Sequence, residues 1–288
     1  MTTQTTKPSV ATKSFTYTRL VDAKPVRQET IEDALNSGNE TPLTEQTWLF
    51  VSPHDDDLCI GAGLLMQAAV AAGVDVECLI VTDGCLGYCK PEQESDIINI
   101  RLKETIDSFK VFDIAEKQLK FLGFPDGGLT QYIGRRKAQD NDPNIKDYTG
   151  LQNAFTYWLR ELRPTRLFVP TKTDLHPDHQ ITHNELMISL FHASGKIWPE
   201  LGDPLTVPKV SELAVYCDFI DNPHLEIIGN EAAFEAKLES IAAYQSQLQI
   251  AEMVDGVRKA GAYEYVRDVE FRLYSADRYR ELFRTTDS

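Results

Sequence analysis

Residues 48–63 read WLFVSPHDDDLCIGAG. An apolar run ends at Pro53, and a histidine with three consecutive aspartates, His54 to Asp57, follows before an apolar, glycine-containing stretch resumes. A continuous apolar run of this length is the pattern of a strand buried on both faces, as in a parallel sheet covered by helices. Open parallel sheets bind ligands beyond the carboxyl ends of their strands. The polar block therefore sits where such a fold places a site. It also has a plainer reading, in which Asp55, Asp56 and Asp57 cap a helix beginning near Gly61 and complement its dipole.

Outward from this segment, apolar runs alternate with amphipathic stretches. GAGLLMQAAVAAG reads as a helix closed by Gly73, and VDVECLIVTDG as a second strand ending in a turn. A helix DIINIRLKETIDSFKVF, a short strand LKFLGF and the turn PDGG follow. Next come a helix LQNAFTYWLRELRP, strands TRLFVP and ELAVYCDFI, and a long late helix AAFEAKLESIAAYQSQLQ. The alternation predicts an α/β fold, a Rossmann-like, mostly parallel sheet with helices on both faces and right-handed crossovers. Its site is expected at the carboxyl ends of the strands. GAG is too short for a dinucleotide fingerprint and reads as close packing of helix on strand. Residues 1–45 lack strong periodicity and are expected to form an N-terminal extension with a short disordered start, leaving 46–288 as one domain.

Composition excludes several classes. No apolar run approaches the ~20 residues of a membrane helix, and a formal charge of −15 opposes attraction to nucleic acid or anionic lipid. Five cysteines in a chain whose start lacks a secretory pattern argue for a reducing, cytoplasmic setting. Cys85 and Cys89 are a weak signal for pairing or metal, and the sequon at Asn39 reads as accidental. A homo-oligomer is admitted by the sequence.

A second polar cluster, DLHPDH, follows the strand TRLFVP and brings His176, Asp178 and His179 to another strand end. Three of the six histidines thus stand beside aspartates at strand ends. Neighbouring aspartates repel unless a cation, a proton or solvent relieves them, and two histidines with one carboxylate form a catalytic zinc set with open positions. A divalent cation lowers the pKa of a coordinated water, and a carboxylate such as Asp56 can take its proton during attack on an amide.

These motifs, SPHDDDL and LHPDH with TDG between them, resemble the LmbE-like de-N-acetylases, which include the GlcNAc-phosphatidylinositol (PIG-L) deacetylases and the mycothiol and bacillithiol pathway deacetylases. The resemblance extends through Arg101 and Glu104, FPDGGL and AYQSQ, over roughly residues 46 to 285. It implies one divalent metal, zinc first and ferrous iron second, held by His54, Asp57 and His179, with Asp56 as general base. It further implies that His176 stabilises the tetrahedral intermediate or protonates the leaving amine, with Asp178 tuning it. Arg101 matches a substrate-contacting arginine, and Asp126 lies in a loop that lines the sugar pocket. The implied substrate is a small N-acetylated sugar or glycoconjugate.

The chain departs from the family pattern at Asp55, where proline is usual, at Leu58, where glutamate is usual, and at Asp174, where some relatives carry tyrosine. Other residues keep two readings. Asp83 either orients a ligand or forms an Asx-turn, and Tyr88 either touches substrate or belongs to a surface loop. His183, one helical turn after His179, is expected to support the site or the core rather than to bind metal, and His192 and His224 are expected to be structural. Two other functions stay open: a metal phosphoesterase, for which Lys172, Arg135 and Arg136 are the few local cations, and a sugar-binding protein without turnover.

Overall fold

The computed structural model describes residues 12–35 and 41–284. The tail expected at the start and the sequon at Asn39 lie outside them. In chain order the elements are β1 (Phe15–Val21), β2 (Lys24–Gln28), α1 (Ile31–Ala34), β3 (Thr47–Ser52), α2 (Asp57–Ala71), β4 (Asp75–Thr82), α3 (Ile97–Lys110) and β5 (Leu119–Phe124). A two-stranded ribbon follows, β6 (Arg136–Lys137) with β7 (Tyr148–Thr149), then α4 (Leu151–Leu162), β8 (Arg166–Pro170), α5 (Pro177–Ser194) and β9 (Lys209–Leu213). The chain continues through β10 (Leu225–Gly229), α6 (Glu231–Ala242), α7 (Ile250–Ala260), β11 (Tyr263–Val269) and α8 (Ala276–Leu282).

Nine strands form one sheet in the order β2-β1-β10-β11-β9-β8-β3-β4-β5. Its β9-β8-β3-β4-β5 half is parallel throughout. This is the Rossmann-like unit that the alternation of strands and helices predicts. The remaining strands pair antiparallel and extend the sheet beyond β9. Residues 15–28, read from sequence as extension, supply the last two of them.

Side chains of β3 explain why the parallel half is buried on both faces. Trp48 and Phe50 point into one core with α2, α3 and α6, while Leu49 and Val51 point into the other with α4 and α5. Successive strand residues alternate faces, so an unbroken apolar run feeds both layers. Phe50 stacks on Phe168 of β8 at 4.3 Å. The GAG segment is a packing device: a Cβ on Gly61 would stand 3.0 Å from the Ala214 carbonyl, and one on Gly63 3.0 Å from Lys237 Cγ. That closeness lets a buried ion pair, Lys237 with Glu264 at 2.6 Å, reach the helix, where Glu264 accepts the Leu64 and Leu65 amides at 2.8 and 2.9 Å.

Three boundaries differ from the sequence expectation. Helix α2 begins at Asp57, inside the acidic block. ELAVYCDFI is strand only to Leu213, since residues 214–220 turn away across the site. The late helix stops at Ala242, and Tyr244 to Gln247 fold back as turns against the His54 loop.

Candidate metal centre

Parallel strands with adjacent carboxyl ends bring their loops to one rim. The Thr82 amide and hydroxyl both donate to the Pro53 carbonyl, at 3.0 and 2.9 Å, and the Asp83 amide donates to Phe124 O at 2.8 Å. The loops after β3, β4 and β5 are thereby tied together. The loop after β8 leads into α5, with His176 as its N-cap and Pro177 in the first turn, which fixes where Asp178 and His179 emerge.

At the centre, three donor atoms form a small triangle. His54 Nδ1 lies 3.2 Å from His179 Nε2 and 3.4 Å from Asp57 Oδ2, which is itself 3.2 Å from His179 Nε2. Tetrahedral bonds of about 2.0–2.2 Å separate donors by about 3.3–3.6 Å, and these three atoms stand close to that spacing. Asp57 Oδ1 is buried and unbonded. Two further triplets have one donor atom each within 4.8 Å of one another: His54, His176 and His179, and His54, Asp126 and Asp178. The first triangle is tighter than that limit on all three sides.

The other nitrogen of His54 faces two carboxylates, Asp126 Oδ1 at 3.3 Å and Asp178 Oδ2 at 3.4 Å. Burial alone would lower the imidazole pKa, but Asp57, Asp126 and Asp178 hold it well above its ordinary value. Burial pulls Asp57 upward, and His179 and His54 overcome it, leaving the carboxyl far below the usual range. Behind His179 stands Asp174, whose Oδ2 lies 3.2 Å from its Nδ1 without the alignment of a hydrogen bond. A carboxylate on the far nitrogen of a ligand histidine fixes ring and tautomer.

Asp56 is buried beside the triangle in sequence and held by Gln247, whose Nε2 donates to its Oδ2. Burial, then Asp57, raises its pKa. His176 stands edge-on to His54 with ring centroids 4.6 Å apart. Its Nδ1 accepts the Asp178 amide at 3.3 Å, which places the proton of the neutral ring on Nε2. Burial and the neighbouring His54 and His179 lower its pKa, favouring that neutral form.

Asp178, expected to tune His176, meets it only through its backbone N–H, while its carboxylate turns to His54 and to the Gly127 amide at 2.8 Å. Arg101 is buried, with Nε 3.2 Å from Asp55 Oδ2 and its guanidinium 5.4 Å from the Tyr244 ring centroid. Asp83 adopts the Asx-turn reading: one carboxylate oxygen accepts the amides of Cys85 and Asp126, at 3.0 and 3.1 Å. Leu58 packs in the α2 core. His183 lies outside the triangle, its Nδ1 2.9 Å from Pro170 O. His192 packs edge-on against Trp198, and His224 accepts the Asp268 amide. Cys85 and Cys89 are free thiols. Arg135 and Arg136 spend their charge on Glu200 and Asp142.

Three participants were not read from sequence. Tyr216 packs 5.2 Å from His179, ring centroid to ring centroid. It was hidden in an apolar run taken as strand. Asp174 stands out in the sequence only as a departure from the family, and Gln247 falls in the matched stretch AYQSQ within the expected helix; neither position announces its partner locally.

Residues 49–189 match the sequence profile of the family described as PIG-L, GlcNAc-PI de-N-acetylase. The chain carries a PIG-L domain. That stretch spans the triangle, Asp56, His176 and α5 as far as Ser189. Comparison with curated proteins gives no match. Among solved structures, a conserved protein of Thermus thermophilus is similar at 23% identity and TM-score 0.61, covering 80% of this chain and 98% of that one. The N,N'-diacetylchitobiose deacetylase of Pyrococcus horikoshii is similar at 20% identity and TM-score 0.60, covering 89% and 99%. GalB of Pseudomonas putida, a 4-carboxy-2-hydroxymuconate hydratase, shares the fold at 15% identity and TM-score 0.58, over 80% and 98%. The same architecture thus carries more than one chemistry in these proteins, and the site has to decide. No helix among the described residues is long and apolar enough to cross a membrane.

Proposed function

We propose that the PIG-L domain is a metal-dependent amidohydrolase that removes the acetyl group from an N-acetylated sugar or glycoconjugate, with residues 46–288 acting as one catalytic unit. The observation that carries this reading is the triangle of His54 Nδ1, Asp57 Oδ2 and His179 Nε2, with sides of 3.2–3.4 Å. These residues would hold one divalent cation, zinc by donor type, with ferrous iron accepted by the same set. When bound, it supplies Lewis acidity toward the amide carbonyl and acidifies water.

The protein's own groups do the rest. Asp56, its proton affinity raised by burial, takes a proton from the attacking water and returns it to the departing amine. Gln247 fixes the carboxylate for both tasks. His176, neutral and protonated on Nε2, donates to the developing oxyanion rather than serving as the acid. Asp126 and Asp178 hold His54, and Asp174 holds His179. Asp126, partly exposed at the rim, is also the carboxylate within reach of a sugar hydroxyl. Arg101 and Asp83 act through Asp55 and the loop at Asp126, as positioning residues. A phosphoesterase would want free cations at this rim, and of the three expected there, Lys172, Arg135 and Arg136, the two arginines are paired with Glu200 and Asp142.

The test is Asp56→Asn, assayed for acetate release and for metal content. The expected result is full metal loading with a rate lowered by about 10²–10⁴-fold. An undiminished rate would sink the general-base role.

A further inference from the structure

A second cavity lies at the end of the sheet away from the metal centre. The metal-site loops leave the carboxyl ends of the parallel strands, whereas this cavity opens where β8 and β9 begin, at Arg166 and Lys209. Four strand steps, about 13 Å, separate Arg166 from Pro170, so the two sites lie at opposite ends of the same strands. The cavity has a volume of about 460 Å³. Val210, Val269 and Phe271 give it an apolar wall, and Arg19, Arg166 and Lys209 bring cations to it.

The charge inside it is one-sided. Arg19 and Arg166 turn to a single carboxylate, Asp268, with Arg19 Nη2 2.5 Å from Oδ2 and Arg166 Nη1 3.9 Å from Oδ1. Arg19 Nη1 donates to Ala34 O at 2.9 Å, and Arg166 donates to Leu35 O and Ser211 Oγ at 2.9 and 3.2 Å. Those acceptors are neutral, so two guanidinium groups share one negative charge. Arg166 is 3% exposed; burial, offset in part by Asp268 and reinforced by Arg19, pulls its guanidinium down to about 10. Lys209 is lowered too, by burial first and Arg166 second. At the mouth, Glu270 pairs with Arg272 and the two cancel. In a chain of net charge −15, a buried positive excess stands against the general trend.

We propose that this cavity binds a small organic dianion, a phosphate monoester whose apolar body lies along Val210, Val269 and Phe271. Guanidinium groups present planar forks of donors that match phosphate oxygens, and a bound dianion would supply the negative charge that Arg19 and Arg166 lack. Ligand pockets of this size pair apolar walls with a few placed polar groups. The site stands apart from the hydrolase reading, since none of its residues touches the triangle.

Calorimetric titration of the metal-loaded protein with phenyl phosphate tests this, with phenol and inorganic phosphate as probes of the two halves of the ligand. The expected result is saturable binding of phenyl phosphate with a Kd of about 1 mM or tighter, and binding of each half at least about tenfold weaker. Lys209→Glu, on the exposed wall, leaves the bonds of Arg166 in place. It should weaken phenyl phosphate by at least about tenfold with urea midpoint and metal content unchanged. No saturation by phenyl phosphate overturns the proposal. Unchanged binding in Lys209→Glu overturns it as well, because the phosphate would then sit elsewhere, the metal centre first. Inorganic phosphate binding as tightly as phenyl phosphate overturns the ligand class.

Discussion

Asp55 and Asp57 are two residues apart in one loop, both are buried, and they have opposite surroundings. Asp55 faces Arg101 at 3.2 Å, and the Tyr244 hydroxyl donates to its backbone carbonyl at 2.6 Å. Burial pushes its carboxyl up to about 7, against the pull of Arg101. Asp57 faces imidazoles, His54 at 3.4 Å and His179 at 3.2 Å. The chain has thus supplied a permanent cation to one aspartate and only titratable, metal-ligating nitrogens to the other. The first charge is countered within the protein by an ion pair, whereas the second gains most when a divalent ion joins it.

Breaking the Asp57 side should give the largest effect. His179→Ala is expected to take bound divalent metal from about one per chain to near none, read by elemental analysis after dialysis. Retention of stoichiometric metal would mean that another triplet around His54 holds the ion. Breaking the Asp55 side should instead cost folding stability. Asp55→Ala leaves a buried guanidinium without its partner, worth about 3 kcal/mol, the low end for such pairs because burial already favours the protonated acid. Urea titration reads this, and the metal content should be unchanged.

Between these lies Asp174→Ala, which removes the carboxylate behind His179. Metal affinity is expected to fall by about 10–100-fold with little change in urea midpoint. The smallest effect belongs to Tyr244→Phe, which deletes one hydrogen bond to the Asp55 carbonyl and should cost about 1 kcal/mol. If Tyr244→Phe weakened metal binding as much as Asp174→Ala, the separation between the two sides of the loop would be false.

The parallel half of the sheet was legible because strands buried on both faces have one physical solution. WLFVS and RLFVP are apolar without alternation, and each ends in a polar block. The antiparallel half was not read. FTYTRLV in β1 does alternate, but it lies far in sequence from its partner β10, and pairing over such separations leaves no local trace. The grouping of His54, Asp57 and His179 was legible because two of the three are histidines, of which the chain has six, standing in two short motifs. Tyr216, Asp174 and Gln247 are common residue types whose roles exist only once loops from distant segments close over His54. Arg101 shows the converse case: a matched position whose buried neighbour, Asp55, stands where the family usually has proline.

The edges of the sheet have a consequence for how copies of this protein treat one another. A terminal strand offers unpaired amides and carbonyls on which a foreign strand can grow. At one end, β2 is five residues long and nearly all exposed, and it carries Lys24, Pro25 and Arg27. At the other, β5 meets β4 through a register shift between Ile80 and Thr82, and its Lys120 pairs with Glu77 at 2.7 Å. Proline withholds a donor, charge repels an approaching strand, and a shifted register bends the template away. A nine-stranded sheet with both margins blunted in this way can be concentrated without seeding cross-β growth from its rims.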